Sequence, residues 1–525
     1  MDHNPSNQPT PRASFPATLK HLFIQETDPL FIYLILGAIT LTGLFLRLLV
    51  INKPLEYDEA YTFVYFASRS FKYILADYSA PNNHILHTIL VGLAYRIFGG
   101  EPWVLRLPAL AAGTLIVPAM YFTARRFFSR PQALAAAGLV ALANWFISYS
   151  ANGRGYTLLI LLALLLTNFA ALLVTRQRNS RSGTEWESRA ALIAFAVTGA
   201  LGFYTIPIFL YPMAGISLWV AATYLAAAEP WRDRLRRLAV FLGACLAAGL
   251  LTLVLYSPVI VFGTGFSSIV NNEIVESLDW SAFLENLDPR LEKTWRKWMV
   301  RIDPSARYLL SGGFLLSLLF YRKLSNQKLP MQIFLVLGPV VLLVLQRVTP
   351  LPRMWIYLEA FYLMFAAAGL VWLAGLLVRK AAGPARTERI LSAGVLLAVV
   401  VACAAILGSR QQSVVMSRGP LPEQFAAEYI VEHVRSEDII IATGPVHIRT
   451  AYYVIIHDIP FERFYQRGQP LEFQSALVVL RTNSKQNTPQ KVVDFFELTP
   501  VLEADSAELV YEYGAVQVYS VPARQ

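Results

Sequence analysis

Long apolar runs separated by short polar segments dominate the chain up to about residue 408. A membrane-crossing helix needs about 20 predominantly apolar residues, and several of these runs reach that length. Beyond residue 408 the pattern changes, because short strand-like and helix-like segments alternate there. The apolar stretches lie at about residues 30–50, 84–98, 104–124, 131–148, 156–174, 190–205, 207–227, 238–262, 307–320, 331–346, 354–378 and 390–408.

Basic clusters between the apolar runs predict the orientation of the chain, because Lys and Arg are enriched in cytoplasmic loops. Placing every cluster inside leaves residues 84–98 as a short helix in the outer interface, since this stretch carries His84, His87 and Arg96. We therefore expect about eleven crossings, with the N-terminus inside and the C-terminus outside. The clusters are Arg125, Arg126 and Arg130; Arg176, Arg178, Arg181 and Arg189; Arg232, Arg234, Arg236 and Arg237; Arg322, Lys323 and Lys328; and Arg379, Lys380, Arg386 and Arg389.

This topology divides the chain into three regions. Residues 1–29 are polar and lack a basic segment followed by a short apolar stretch, which favours a cytoplasmic tail over a cleaved signal. Residues 30–408 form an α-helical polytopic membrane domain with outer loops at 51–103 and 263–305. In residues 409–525, "DIIIATG", "ALVVLRT" and "GAVQVYSV" are strand-like, while "PEQFAAEYIVEHVR" and "TPQKVVDFFE" are helical. This alternation predicts a small α/β domain outside the cytoplasm.

The composition agrees with a polytopic membrane protein and disfavours several other kinds of protein. Hydrophobic residues make up 55% of the chain, charged residues 15%, and the mean hydropathy is +0.46. The net charge of +10 falls in short clusters between spans, so we expect no nucleic-acid partner. Cys245 and Cys403 both lie in apolar runs, which excludes a disulfide framework or a cysteine zinc motif.

The acidic pair Asp58-Glu59 is the principal candidate for chemistry. It lies in "EYDEAYTFVYFASRS", a few residues beyond the first apolar run. A carboxylate at this place can remove a proton from a substrate at the membrane surface. The structural alternative is that Asp58 caps a helix and that Glu59 favours the positive end of its dipole.

Three segments together resemble the bacterial GT-C superfamily of glycosyltransferases. They are "YDEAY", then "NNHILHTILVGLAYRIFGGEPWVLRLPALAAGTLIVPAMYFTARRFF", then "SYSANGRGYTLLILLALLL". The resemblance is to the protein O-mannosyltransferase-like enzymes and, more distantly, to the aminoarabinose transferase of lipid A. It implies a sugar donor carried on a polyprenyl phosphate and a site at the outer membrane face. It also implies that the general base is the acidic residue of the first outer loop, which the motif places at Asp58, with Glu59 beside it as a second catalytic candidate.

Sugar transfer from a lipid phosphate also needs cations or oriented donors that stabilise the leaving phosphate. Arginines at the outer ends of spans meet this requirement, and His84 stands where relatives commonly carry a basic residue before prolines that are missing here. The substrate-binding candidates are Tyr61, Asn83, His84, Arg106, Arg154 and Arg353.

Each of these residues has a structural alternative. Arg154 and Arg353 could anchor spans at the interface, and Arg106 could hold the loop by bonding its carbonyls. His84 and His87 share one helix face, so with a carboxylate they could bind a divalent metal ion, or they could serve as interfacial hydrogen-bonding residues. The turn "SYSANGRGY" contains no acid, which disfavours a two-carboxylate metal site there.

The function predicted from these features is transfer of a sugar from a polyprenyl-phosphate-linked donor to a protein, lipid or glycan acceptor. Inversion at the anomeric carbon is expected, and the site and the C-terminus would lie on the outer face of the cytoplasmic membrane. The alternative is a lipid or solute transporter without transferase activity. Transporters usually hold charged residues at mid-membrane on broken helices, whereas the charges here cluster at the outer ends.

Overall fold

The computed structural model describes residues 28–176, 185–270, 277–299, 304–349, 351–408, 421–468 and 473–524. The expected cytoplasmic tail at residues 1–29 therefore lies almost entirely outside the described residues. So do short parts of the expected second outer loop and of the C-terminal region.

The membrane domain consists of helices joined mainly by short turns. Its helices are α1 (Leu30–Leu48), α2 (Tyr57–Thr62), α3 (Phe71–Ala76), α4 (Ile85–Phe98), α5 (Pro102–Arg125), α6 (Arg130–Leu142), α7 (Asn144–Ser150), α8 (Tyr156–Arg176), α9 (Glu185–Thr205), α10 (Leu210–Leu225), α11 (Trp231–Phe262), α12 (Phe266–Val270), α13 (Trp280–Met299), α14 (Pro304–Leu319), α15 (Tyr321–Leu324), α16 (Met331–Gln346), α17 (Ile356–Ala382) and α18 (Pro384–Gly408).

The chain is an integral, multi-pass membrane protein. Within the described residues, eight helices are long and apolar enough to cross a membrane, and the bent pair α6–α7, with an angle of 58°, makes a ninth if it forms one span. Helices α4, α14 and α16 are apolar but shorter. The helical polytopic fold is thus confirmed, whereas the count of eleven crossings stays a prediction. At 14 residues, α4 is about 21 Å long, which agrees with the expected interfacial helix.

Contacts bring several basic turns together at one end of the helix bundle. Asp28, just before α1, pairs with Arg125 at 3.2 Å, and Arg130 pairs with Glu388 at 3.2 Å. The side chain of Gln327 donates to the carbonyl of Arg126 at 3.1 Å. The grouping of these basic turns on one face, which the topology prediction requires, is therefore present.

Two details of the membrane domain bear on the predicted boundaries. The stretches predicted at 190–205 and 207–227 form a tight hairpin, since α9 ends at Thr205 and a short 3₁₀ turn leads into α10. By contrast, α11 begins at Trp231, so its cluster of four arginines lies in the first turns of a helix and not before it. Arginine favours helices, and Pro230 directly before Trp231 sets the start.

The C-terminal region contains the predicted small α/β structure. Its elements are α19 (Pro422–His433), β1 (Asp438–Ala442), α20 (Gly444–Ile455), β2 (Ser475–Arg481), α21 (Pro489–Phe495), β3 (Glu508–Tyr513) and β4 (Val516–Pro522). The strand order is β1-β2-β4-β3, with β1 and β2 parallel and the other pairs antiparallel. The three predicted strands and two predicted helices are present, whereas α20 and β3 were not predicted.

This α/β region packs on the first loop of the membrane domain. Residues of α2, including Ala60, share one buried cluster with residues of α19 and α20. The ring of Phe63 meets that of Tyr452 edge-to-face at 5.4 Å, and the hydroxyl of Tyr452 donates to the carbonyl of Gly100 at 2.7 Å. The α/β region and the loop that carries Asp58 therefore lie on the same face.

The topology predicts which introduced cysteines an impermeant thiol reagent can reach in intact cells. After Cys245 and Cys403 are replaced by alanine, Lys72→Cys and Lys485→Cys should react, because both exposed positions lie on the face of Asp58. The control Arg386→Cys, on the opposite face, should react only after the cells are permeabilised. The reverse labelling pattern would contradict the orientation.

Candidate active site

Asp58 lies one residue inside the N-terminus of α2, not at its cap. Glu56 occupies the cap position, and its backbone N–H donates to the side chain of Glu59 at 2.9 Å in a reciprocal capping box. The capping alternative for Asp58 is therefore not what the structure shows. Its side chain is 36% exposed and takes no part in the capping box.

Two arginines from distant parts of the chain converge on Asp58. Arg154 Nη1 lies 3.2 Å and Arg353 Nη1 3.0 Å from the same carboxylate oxygen, Oδ2. Arg154 comes from the turn between α7 and α8, and Arg353 from the 3₁₀ turn that leads into α17. The sequence-based candidates for base and phosphate binding thus meet at one place.

His84 lies beside this group as a neutral, oriented imidazole. The backbone N–H of Gly155 donates to His84 Nδ1 at 3.0 Å, so the proton of the neutral ring is assigned to Nε2. Burial lowers the pKa of His84 well below its usual value, and the positive charge of Arg154 lowers it further. A Cβ atom on Gly155 would lie 3.2 Å from His84 Nδ1 and 2.9 Å from Thr205, which is too close for a normal contact. A side chain at position 155 would therefore displace His84 or Thr205, so glycine fits best there.

This tautomer leaves two hydrogen-bond donors facing each other. His84 Nε2 lies 3.1 Å from Arg154 Nη2, and each of these nitrogens carries a proton. Neither can accept from the other, so one oxygen acceptor that bridges the two nitrogens from the side would satisfy both. The arrangement fits an anion.

Glu59 and Arg106 form a buried pair behind Asp58. Arg106 Nε and Nη2 each lie 2.8 Å from one oxygen of Glu59, and both side chains are almost fully buried. Burial raises the pKa of Glu59, but the charge and hydrogen bonds of Arg106 outweigh it and hold that pKa below its usual value. Arg106 also donates to the carbonyls of Ile51, Lys53 and Pro54. These contacts show Arg106 holding the loop and both oxygens of Glu59 hydrogen-bonded, whereas the substrate-binding role of Arg106 and the catalytic role of Glu59 stay predictions.

The two remaining candidates line the same loop. Asn83 is buried and donates to the carbonyls of Ile74 at 3.1 Å and Asp77 at 2.7 Å. The ring of Tyr61 lies 4.5 Å from that of Tyr65, and burial, followed by neighbouring tyrosines, raises the pKa of Tyr61 to about 12. These contacts show both residues holding the loop, and their role in substrate binding stays a prediction.

A cavity of about 600 Å³ opens beside the arginines. Its polar end carries His84, Arg154 and Arg353, whereas most of its wall is apolar. The lining consists of Tyr78, Pro81, Asn82, His84, Arg154, Tyr156, Phe203, Ile206, Pro207, Ile208, Leu210, Tyr211, Ile269, Val270, Ser277, Leu345, Gln346, Val348, Arg353 and Met354. The cavity therefore suits an amphipathic ligand with an anionic head.

Most of the apolar wall was not predicted from the sequence. Phe203 and Tyr211 flank the α9–α10 hairpin, and Leu345 lies at the end of α16. Only the hairpin could have indicated that these residues line a cavity. In the sequence, an apolar residue of a span that faces lipid cannot be distinguished from one that faces a cavity. Glu359, a buried acid in the first turn of α17, was also missed, although an acid inside an apolar run is itself a signal.

The described residues contain no group of three or more His, Cys, Asp or Glu side chains that could hold a metal ion. His84 Nδ1 already accepts a hydrogen bond from the backbone N–H of Gly155. His84 Nε2 faces Arg154, whose positive charge would repel a metal ion. His87 is fully buried, and no hydrogen bond to either of its ring nitrogens is found. The arrangement of these two histidines therefore does not fit the metal site considered from the sequence.

Glu59→Gln should destabilise the protein by about 3–5 kcal/mol, because it leaves Arg106 as a buried charge without a counter-charge. Thermal unfolding of the purified protein in detergent measures this. The matched control is Glu462→Gln, which removes an exposed partner of Arg69 and should cost under about 1 kcal/mol. Equal unfolding temperatures for the two variants would show that the buried pair is not a structural anchor.

Comparison with known proteins supports the resemblance found in the sequence. Residues 82–262 match the family described as dolichyl-phosphate-mannose-protein mannosyltransferase. No curated protein matches the chain. Among solved structures, ArnT from Cupriavidus metallidurans bound to undecaprenyl phosphate is similar, with 13% identity, a TM-score of 0.61, and coverage of 93% of this chain and 97% of that chain. The apo state of the same ArnT has a TM-score of 0.59 at the same identity and coverage.

The matched segment contains His84, Arg106 and Arg154 but neither Asp58 nor Arg353. The structural likeness extends over nearly the whole chain, including the C-terminal α/β region. The chain thus has the fold of ArnT, and its residues 82–262 resemble the dolichyl-phosphate-mannose-protein mannosyltransferases.

Proposed function

We propose that this protein is a membrane glycosyltransferase that moves a sugar from a polyprenyl-phosphate-linked donor to an acceptor at the outer face of the cytoplasmic membrane. The observation that carries the proposal is the cavity beside Asp58, whose polar end is cationic and whose remaining wall is mainly apolar. A lipid-linked phosphate has the same division between an anionic head and an apolar chain.

The polar end of the cavity supports phosphate binding. Arg154 is 2% exposed, so its charge is poorly screened by water. His84 Nε2 adds a neutral donor, and Arg353 adds a second guanidinium, which also contacts Asp58 Oδ2. Each guanidinium has five N–H donors, so each can hold Asp58 and a phosphate oxygen at the same time.

The apolar part of the cavity supports the polyprenyl chain. Its wall includes Val270 and Leu345, which are 54% and 72% exposed and therefore lead from the cavity to the lipid-facing surface. A chain that starts at Arg154 can leave the protein along this path. The ArnT structure of the same fold was determined with undecaprenyl phosphate, which favours this class of donor for the present chain.

The transfer step follows from the position of Asp58 next to the phosphate donors. An acceptor hydroxyl attacks the anomeric carbon of the donor sugar, and Asp58 takes the hydroxyl proton as the new C–O bond forms. The bond between the anomeric carbon and the phosphate oxygen breaks, and Arg154, Arg353 and His84 stabilise the charge on the departing phosphate. A single displacement of this kind inverts the anomeric carbon.

The C-terminal α/β region would orient the acceptor. Its helix α20 packs on α2, the helix that carries Asp58, and Tyr452 of α20 packs on Phe63 directly after α2. An acceptor protein, lipid or glycan that reaches Asp58 from the outer aqueous side would pass this region.

A transporter is less consistent with the distribution of buried charges. In the described parts of the chain, the strongly buried ion pairs of the membrane domain lie at helix ends: Glu59–Arg106 on the face of Asp58 and Asp28–Arg125 on the opposite face. Transporters typically place such pairs near the middle of the membrane.

Asp58→Asn should lower the rate of transfer by about 10²–10⁴-fold, because asparagine cannot take the proton of the acceptor hydroxyl. Transfer from a lipid-linked sugar donor by the purified protein measures the rate, and the unfolding temperature should stay close to that of the wild type. The control Asp77→Asn removes a carboxylate from the same outer loop and should leave the rate unchanged. Activity of Asp58→Asn within a few-fold of wild type would sink the assignment of the base.

Arg154→Ala and Arg353→Ala should each weaken binding of a polyprenyl phosphate by about 10- to 100-fold, because each removes charge-assisted hydrogen bonds to the phosphate. Lysine at either position should restore only part of the affinity, since its point charge lacks the planar fork. The control Arg69→Ala removes an outer-face arginine that pairs with Glu462 and should not change the affinity. Wild-type affinity in both variants would contradict the phosphate site.

A further inference from the structure

A second cavity, of about 390 Å³, lies at the end of the bundle opposite Asp58. It is formed by the turn between α14 and α16, together with the adjoining ends of these helices. Its lining consists of Leu318, Leu319, Phe320, Tyr321, Arg322, Lys323, Lys328, Leu329 and Pro330. We propose that this cavity binds the headgroup of an anionic phospholipid, and this proposal is independent of the function proposed for the first cavity.

The positive charge of the cavity lining favours binding of an anion. Arg322, Lys323 and Lys328 all line it, and no carboxylate belongs to its lining. In the part of the chain that the structure describes, none of the three takes part in a salt bridge. Three cations with no acidic partner around one cavity make a local positive potential that attracts a phosphate group.

The turn that carries these cations is held in place by the protein. The backbone N–H of Asn326 donates to the carbonyl of Phe127 at 2.8 Å. The side chain of Gln327 donates to the carbonyl of Arg126 at 3.1 Å and to the hydroxyl of Thr175 at 2.8 Å. The cations therefore project from a fixed turn, which reduces the entropy lost when they bind a ligand.

An apolar rim distinguishes a phospholipid from a soluble anion. Leu319 is 75% exposed beside the cavity, and Phe320 is 36% exposed and stacks on Trp372 at 4.9 Å. An acyl chain can lie against these side chains while the phosphate meets Lys323, whose Nζ lies 5.5 Å from the centre of the Phe320 ring. A free phosphate would leave this apolar rim uncovered.

The two flanking helices are short, which favours a lipid headgroup at the level of the cavity. Helices α14 and α16 each have 16 residues and are about 24 Å long, shorter than the hydrocarbon core of about 30 Å. A bilayer adapts to a short span by thinning locally, which draws headgroups toward the end of the helix. The cationic cavity lies at that end.

The test measures binding of phosphatidylglycerol to the purified full-length chain by native mass spectrometry, with phosphatidylcholine as the neutral comparison. The wild type should retain phosphatidylglycerol in preference to phosphatidylcholine. The triple variant Arg322→Gln, Lys323→Gln and Lys328→Gln should lose affinity for phosphatidylglycerol by about 100-fold, because each cation contributes roughly fivefold near a membrane surface. The single variant Lys328→Gln should show a smaller loss in the same direction.

The matched control is the triple variant Arg379→Gln, Lys380→Gln and Arg389→Gln, which removes the same charge from exposed positions on the same face. Its affinity should equal that of the wild type. The proposal is overturned if both triple variants lose affinity equally, or if neither does. It is also overturned if inorganic phosphate displaces the lipid at equal concentration, or if a polyprenyl phosphate binds this cavity more tightly than phosphatidylglycerol.

Discussion

The buried ion pair between Glu59 and Arg106 ties together the three outer segments from which the site is built. Arg106, near the start of α5, holds Glu59 and also bonds the carbonyls of the loop after α1. Glu59 in turn accepts the backbone N–H of Gly153 at 2.6 Å. Because Asp58 precedes Glu59 and Arg154 follows Gly153, these contacts bring the proposed base and the proposed phosphate-binding arginine next to each other.

Arg154 links the two halves of the proposed chemistry. One of its terminal nitrogens contacts Asp58, and the other faces the protonated nitrogen of His84. Binding of a phosphate between Arg154 and His84 would satisfy two donors that otherwise oppose each other. Donor binding would then fix the guanidinium that orients Asp58, so the base would be aligned when the donor is in place. In the proposed site Asp58 would face the substrate, whereas both oxygens of Glu59 are hydrogen-bonded to Arg106 and to backbone N–H groups of the loops.

Local patterns allowed much of this to be predicted. The apolar runs and basic turns gave the membrane domain, and strand-like segments gave β1, β2 and β4. The edge strand β3 was missed because "ELVYEY" carries charges at both ends, and α20 was missed because "HIRTAYYVI" is rich in β-branched and aromatic residues that favour strands. The start of α11 was missed because its four arginines are typical of a turn between spans, whereas they lie in the first turns of the helix.

The candidate site shows a sharper limit of sequence reasoning. Its motif makes Asp58 a candidate base, but the contact of Asp58 with Arg353 joins residues 295 positions apart in the chain. The sequence also does not show that Glu59 is buried against Arg106 while Asp58 stays partly exposed. Which of two adjacent acids is buried depends on tertiary packing. Side chains that line the cavity could not be distinguished from those facing lipid, since both kinds are apolar.

The central claim is that the cavity beside Asp58 holds a lipid-linked phosphate. A cryo-electron microscopy structure of the full chain with a bound polyprenyl phosphate tests it most directly. The account predicts the phosphate within hydrogen-bonding distance of Arg154, Arg353 and His84 Nε2, with the isoprenoid chain passing Leu345 toward the membrane. A phosphate bound elsewhere, with Arg154 and Arg353 contacting only Asp58, would contradict the account.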